Sequence, residues 1–268
     1  MVRVYSIRKL TRRSDKLPAI SGIAAIVSEK ISSPYVVGLW KDTLLFDLQW
    51  ETFPSISKEQ HRLLRASRTY LAPTFSWVSI DSQTEYDHGG GKFKPIDNDV
   101  VADTIIVDVQ ITLKGLNPLG EVVDVFLILE GLLVSATLSD WESRSVGNRE
   151  GLWYELKHGS KTEIMQADLP LTEGVCINSL GRLEPTVKRA SHEDMILHTE
   201  KSPVWCLSVF HRLDGSRFVL ILGLSARVPG AYERLGISHF LSTSSFQGGE
   251  SLPSSRFDDA CRATVKIV

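Results

Sequence analysis

A mainly β, α+β fold is what this 268-residue sequence predicts: a β-barrel or β-sandwich of many short antiparallel strands under an N-terminal helical cap. Three observations carry that prediction. "SDKLPAISGIAAIVSEKI" spaces Leu17, Ile20, Ala24, Val27 and Ile31 three or four residues apart, the stripe of an amphipathic helix. "TIIVDVQITL" alternates Ile105, Val107, Val109, Ile111 and Leu113 with more polar neighbours, the period of a strand with one buried face. "PVWCLSVFHRLDGSRFVLILGL" sets two β-rich arms around Asp214-Gly215, a pair that tolerates the positive φ angles of a two-residue type I′ turn. One domain is expected, with residues 1–69 as the cap and 70–268 as the β-rich body.

The elements follow in order. Ser14 or Asp15 is placed to cap the first helix, Pro18 is tolerated in its first turn, and "SSPY" ends it. In "VGLWKDTLLFDLQW", Trp40, Leu44, Leu48 and Trp50 fit the face of another short helix, and "SISKEQHRLLRASR" reads as an exposed helical loop. "YLAPTFSWVSID", Tyr70 to Asp81, reads as a strand with Phe75, Trp77 and Ser79 on one side and Thr74, Ser76 and Val78 on the other. Core packing of its aromatics is the first expectation, since large aromatics are mostly interior; a pocket wall is the second. "GEVVDVFLILEGLLVSATL" predicts one long strand or two, broken near Gly131. "GLWYELKHG", "TEIMQADL" and "GVCINSL" predict shorter strands, and "ATVKIV" a final one. In the hairpin, a two-residue loop sets His211 opposite Phe218, Val209 opposite Leu220 and Trp205 opposite Leu224.

Composition narrows the function. The 30 basic and 32 acidic residues leave a net charge of −2, without the basic excess of a nucleic-acid binder. The basic run Arg8, Lys9, Arg12 and Arg13, beside Asp15 and Lys16, reads as a solvated helix entrance. Cys176, Cys206 and Cys261 are unpaired by spacing, resembling neither a disulfide framework nor a zinc site. No apolar run approaches the roughly 20 residues of a spanning helix, and the N-terminus does not read as a signal peptide. The expectation is a cytoplasmic protein in a reducing compartment, with no nucleic-acid partner and no membrane span; self-association is left open.

Three blocks, "YSIRKLTRRSDKLPAISGIA", "YVVGLWKDTLLFDLQW" and "YLAPTFSWVSID", stand in the order seen in fungal heterokaryon-incompatibility (HET) proteins, just downstream of the HET domain. "LGEVVDVFLILEGLL", "GAYERLGI" and "ATVKIV" continue the resemblance over nearly the whole chain. Where the family's third block usually reads Ala-Pro-Ser-Trp-Ser-Trp-Ala-Ser, Thr74 and Phe75 replace its Ser-Trp. In the family the HET domain carries the effector role and precedes these blocks. Only four residues precede Tyr5 here, so the resemblance implies a downstream module without that effector half.

Motifs for covalent, metal or nucleotide chemistry do not assemble. "DHGGGKF" is similar to an oxyanion-hole loop, yet the sequence has no Gly-x-Ser-x-Gly elbow. "SHEDMILH" carries His192 and His198 two residues too far apart for the zincin helix, and no metal site is expected. Cys176 and Cys206 lie in apolar runs as small hydrophobes. No cofactor is expected. What remains is aromatic: Trp77, Trp141, Trp153 and Tyr154 are the candidate substrate-binding residues, with Asp81 and His88 as the candidate catalytic polar groups. The polar loop "ESRSVGNREG" between Trp141 and Trp153 reads either as a disordered connection or as the place where a site would sit. The function expected is a cofactor-independent cyclase or isomerase of pericyclase type, such as one promoting an intramolecular [4+2] addition, acting on a hydrophobic small molecule in fungal specialised (terpenoid or polyketide) metabolism. The alternative is a non-enzymatic recognition or regulatory module of the incompatibility system.

Overall fold

The stripe of Leu17, Ile20 and Ala24 buries one face of a helix, α2 (Lys16–Ile31), which follows a single N-terminal turn, α1 (Val2–Ser6). The computed structural model describes residues 2–8, 10–52, 66, 69–86, 97–141, 152–191, 202–240, 257 and 259–268, with the side chains of 139–141 and 240 excepted. The predicted cap is not made: Ser14 and Asp15 lie in a 3-10 turn, Arg13–Asp15, that runs straight into α2 without a capping side-chain hydrogen bond. The stripe also runs out, since Ile31 is exposed at the last turn, where Ser32 (φ 53°) stops the helix.

Residues 35–50 differ from the expected helix. Strands β1 (Tyr35–Val36) and β2 (Leu39–Trp40) pair around Val37 and Gly38, both at positive φ, and only one helical turn, α3 (Leu44–Asp47), follows. Positive φ is strained for a β-branched residue. Ser76 Oγ donates to the Val37 carbonyl (2.6 Å) and Trp77 Nε1 to the Gly38 carbonyl (2.9 Å), so residues 76–77 hold that turn. Leu44, Leu48 and Trp50 are fully buried as their spacing predicts.

The strand expected at Tyr70–Asp81 is absent. The segment is turn and 3-10 helix (Trp77–Ser79), with Ser76 Oγ accepting from Val78 N as its cap. A proline without an N–H and a serine that caps locally both compete with a sheet ladder. The expected alternation fails with it: Phe75, Ser76, Trp77 and Val78 are all buried. Burial of the two aromatics is correct.

Thirteen further strands follow among the described residues. They are β3 (Glu51–Thr52), β4 (Thr84–Glu85), β5 (Val100–Ala102), β6 (Ile105–Leu113), β7 (Val122–Trp141), β8 (Trp153–His158), β9 (Lys161–Ala167), β10 (Leu171–Ile177), β11 (Leu183–Arg189), β12 (Ser202–Arg212), β13 (Arg217–Leu224), β14 (Tyr232–Phe240) and β15 (Cys261–Ile267). β7 is one continuous strand of 20 residues, flanked by β6 and β12 along one edge and by β15 and β8 along the other. Gly131 does not break it; a Cβ there would sit 2.0 Å from Thr104 Oγ1, so the glycine admits a close neighbour.

Pairings run β7–β8–β9–β14–β13–β12 and return to β7. The β9–β14 step is two residue pairs wide, so this barrel is not strictly closed. The β12–β13 hairpin turns on three residues, Leu213 to Gly215, with Arg212 N bonded to Ser216 O and Gly215 at φ 86°. That geometry matches a type I turn plus a left-handed glycine. Together with a bulge at Val209 it corrects the predicted register: His211 faces Arg217, Phe210 faces Phe218 and Trp205 faces Leu222.

Alternation divides most apolar side chains between two cores, but the face of β6 expected to be buried is not: Ile105, Val107, Ile111 and Leu113 are exposed, because among the described strands β6 pairs with β7 alone. Val134, Ala136, Leu138, Tyr154, Leu156, Met165, Val204, Cys206, Val219, Ile221 and Leu235 occupy the barrel interior. Leu207, Val209, Phe218, Leu220 and Leu222 face outward and bury Leu17, Leu44, Trp50, Phe75 and Trp77 of the N-terminal layer. A bulge at Leu235 turns Arg234 outward under that layer, where it is fully buried.

Candidate functional site

Where α2 begins, where residues 69–78 cross the sheet and where β6 turns into β7, three surfaces leave a cleft of about 420 Å³. That lies within the range of about 300–1,000 Å³ usual for small-molecule sites. Leu17, Leu71, Val78, Val122 and Val123 make its apolar floor, Tyr70 one aromatic wall, and Arg13, Ser14, Lys16, Lys114 and Glu121 its polar side. A second cleft of about 440 Å³ shares Thr69, Tyr70 and Leu71 and adds Lys188, Arg189, Arg227 and Glu233. The Arg227 guanidinium lies 4.3 Å from the Tyr70 ring centroid, and burial raises the Tyr70 phenol to about 12.

Lys16 is the chemically unusual group of the first cleft. The sequence placed it in a solvated basic run, but its side chain is only 7% exposed. The aliphatic stem packs inward from the first turn of α2, and the ammonium donates to the Ile80 carbonyl. It stands 5.2 Å above the Trp77 ring and 3.9 Å from Asp81 Oδ1. Asp81, whose side chain is 36% exposed, is shared with the Arg13 guanidinium, which contacts Oδ2. Burial lowers the Lys16 pKa to about 8, opposed by the Asp81 charge and assisted by that of Arg13. Tyr5 closes the site from α1: its hydroxyl donates to the Lys16 carbonyl (2.6 Å) and its ring meets Trp77 edge-on at 5.9 Å.

The predicted site residues therefore separate. Asp81 borders the cleft through Arg13 and Lys16, and Trp77 lies beneath Lys16 as a fully buried support. Tyr154 belongs to the other core, inside the barrel, where its hydroxyl accepts from Leu171 N (3.1 Å). Trp153, half-buried, begins β8, and its Nε1 is buried without a hydrogen-bond partner. Trp141 ends β7 opposite Tyr154 in the ladder. Its side chain, His88 with the rest of the "DHGGGKF" loop, the "ESRSVGNREG" loop, and His192 and His198 all lie outside the described residues. The aromatics thus do not converge on one wall, because Trp77 and Tyr154 serve different cores.

Sequence reasoning also missed a polar cluster on the barrel. Buried Asp103 receives Ser208 Oγ and Arg217 Nη1 (2.6 Å) on Oδ2, and its Oδ1 lies 2.8 Å from His211 Nδ1. The residue types match a serine nucleophile set, but the connections do not. Ser208 is fully buried and bonds the carboxylate, not the imidazole, so no activated hydroxyl results. Only strand pairing brings Asp103 beside Ser208 and His211, 105 and 108 positions away, and no local spacing announces it.

Among the described residues no group of three or more His, Cys, Asp and Glu side chains is placed to hold a metal, and no helix is long and apolar enough to cross a membrane. Cys176 and Cys206 are buried, as expected of small hydrophobes, and Cys261 is exposed. Comparison of the chain with family models, with curated proteins and with solved structures found no match.

Proposed function

We propose that this chain binds a hydrophobic small molecule in the cleft beneath the start of α2 and acts on it as a cofactor-independent cyclase or isomerase of pericyclase type. The observation that carries this reading is one cleft with an apolar floor from Leu17 to Val123 and a buried ammonium, Lys16, at its polar side. Because side chains occupy the barrel interior, the ligand's seat is the interface between cap and sheet. An apolar floor folds a flexible polyene into a reactive conformer and removes part of the entropic barrier. The Lys16 N–H groups polarise a carbonyl conjugated with the reacting alkene, charge stabilisation delivered in a site poor in water. Asp81 and Arg13 fix the position of that ammonium. The resemblance to the HET-downstream region supports a fungal setting in terpenoid or polyketide metabolism.

Purified protein incubated with linear polyene carbonyl precursors, followed by chiral product analysis, tests the proposal. Enantioenriched cyclised product that falls at least about tenfold in Lys16→Met supports it. Equal rates and racemic product with and without protein would end it.

A second reading rests on a different observation. Val4 and Ile7 near α1, and Ile23, Ile26 and Ile31 on α2, are exposed aliphatic side chains on the N-terminal layer. Such a surface suits a recognition module that docks another protein of the incompatibility system. Light scattering of the pure chain and pull-down from fungal lysate test it, and a monodisperse monomer without a stable partner counts against it.

A further inference from the structure

We infer that Lys16 condenses through its side-chain amine with an aldehyde or ketone carbonyl of the molecule held in the cleft, forming an imine. The inference deepens the proposed function by naming the substrate's reactive group, and rests on that reading for the cleft as binding site.

An ammonium has three N–H donors. That of Lys16 has one strong acceptor, the Ile80 carbonyl, and a carboxylate at 3.9 Å that Arg13 already engages. The buried guanidiniums of this protein are held quite differently. Arg234 is bonded to both oxygens of Asp168 and to two carbonyls, and Arg189 shares the same carboxylate. Guanidiniums stay charged, whereas a poorly compensated buried lysine yields its proton and becomes a nucleophile. The depressed Lys16 pKa agrees with that placement. The charged and titratable groups around it are Arg13 and Asp81 beside it, Tyr5 from α1, and Lys114 and Glu121 on the cleft wall.

The step balances with no added reagent. Asp81 takes the ammonium proton, and the free Nζ lone pair attacks the carbonyl carbon. A C–N bond forms as the carbonyl π pair moves to oxygen, and a proton passes from the attacking nitrogen to that oxygen. The resulting carbinolamine loses its C–O bond with a proton returned by Asp81, and one water leaves for each imine formed. Protonated, that imine withdraws electrons from a conjugated alkene, making it the electron-poor partner of a cycloaddition.

The test is reductive trapping. The full chain is incubated with benzaldehyde and sodium cyanoborohydride, digested, and mapped by mass spectrometry. Lys16 is expected to be alkylated at least about tenfold faster than exposed lysines such as Lys30 at pH 7, reflecting its larger neutral fraction. Lys16→Arg keeps the cation but cannot form an imine. It is expected to fold with a lower melting temperature, the cost of a buried guanidinium with few partners, and to lose the fast adduct alone. Labelling spread over surface lysines with Lys16 no faster, or a fast adduct that survives Lys16→Arg, overturns the inference. In that event, continued binding of 1-anilinonaphthalene-8-sulfonate, displaced by an apolar aldehyde, leaves the binding reading standing; loss of both removes the two together.

Discussion

The guanidinium of Arg234 lies over Trp50, its central carbon 3.6 Å from the ring centroid, while the same group bonds the backbone carbonyls of Trp50 (2.6 Å) and Leu48 (2.7 Å). Its remaining N–H groups reach both oxygens of Asp168, and Arg189 ties that carboxylate to the Thr74 carbonyl and Ser79 Oγ. One buried ion cluster thereby fastens three stretches of the N-terminal layer to the barrel, and so shapes the clefts at their junction. Burial opposes the charge on Arg234 and Asp168 sustains it.

Removing the carboxylate leaves two buried guanidiniums facing one another. Asp168→Asn is expected to destabilise the fold by about 3–5 kcal/mol, the cost of a buried charge stripped of its partner. Urea titration followed by tryptophan fluorescence checks this, and a midpoint within error of the parent would refute the clasp.

Two glycine substitutions should differ in sign. At Gly236 a Cβ would lie 2.1 Å from the Gln166 carbonyl oxygen and 2.8 Å from Ala167 Cα, at the narrow β9–β14 seam. Gly236→Ala is therefore expected to lose about 1–3 kcal/mol or more as the strands are forced apart. Gly22, exposed within α2, meets nothing within 4 Å, and Gly22→Ala is expected to gain about 0.5–1 kcal/mol. Thermal melts of the two variants make the comparison.

Lys16 gives stability a distinctive pH dependence. Its pKa of about 8 in the fold lies below the ordinary 10.5. Between those values the unfolded chain holds a proton the folded chain has shed, so raising the pH favours folding. Relative to Lys16→Met, the parent should gain up to about 1.4 kcal/mol per pH unit from pH 8 upward. Above about pH 10 this difference should level off, while the stability of both proteins falls, because burial raises Tyr5, Tyr35, Tyr70 and Tyr86, which ionise more readily once unfolded. Denaturation midpoints of both proteins measured from pH 7 to 10 decide it; a flat difference would show that Lys16 is solvated.

Asp103 anchors the second buried polar cluster. Asp103→Ala strands Arg217 and His211 on the barrel wall and is expected to cost about 2–3 kcal/mol, since hydrogen bonds to charged groups are the stronger kind. Ser208→Ala, which removes the hydroxyl that donates to Asp103 and accepts from Arg217 but leaves that ion pair in place, should cost less, about 1–1.5 kcal/mol. Comparable losses in the two variants would contradict the arrangement.

The candidate site was half visible in the chain. Trp77 and Asp81 stood out as a large aromatic and a carboxylate in one short block, and both meet at Lys16. Lys16 itself carried no signal, because in "TRRSDKL" it is one more cation of a polar helix entrance. Its burial depends on Ile80 and Asp81, 64 and 65 positions further on, arriving over it.

What the sequence by itself determined was part of what a local period can encode: the α2 stripe, the strands themselves, a turn at Asp214-Gly215 and the burial of Phe75 and Trp77, but not the buried face of β6, where Ile105, Val107, Ile111 and Leu113 are exposed. Side-chain direction repeats every 3.6 residues in a helix and every 2 in a strand, so element type is legible in the period, while burial of a face also needs a partner packed on it. Tertiary structure alone decided the hairpin register, shifted by the bulge at Val209, and the strand that never formed at Tyr70–Asp81. It also decided which charges were buried. Arg234 is turned outward by the bulge at Leu235, and Asp168 lies 66 positions away along the chain. A register shift of one residue reverses every face, and a charge enters the interior only where a distant partner or acceptor meets it. Neither condition is local.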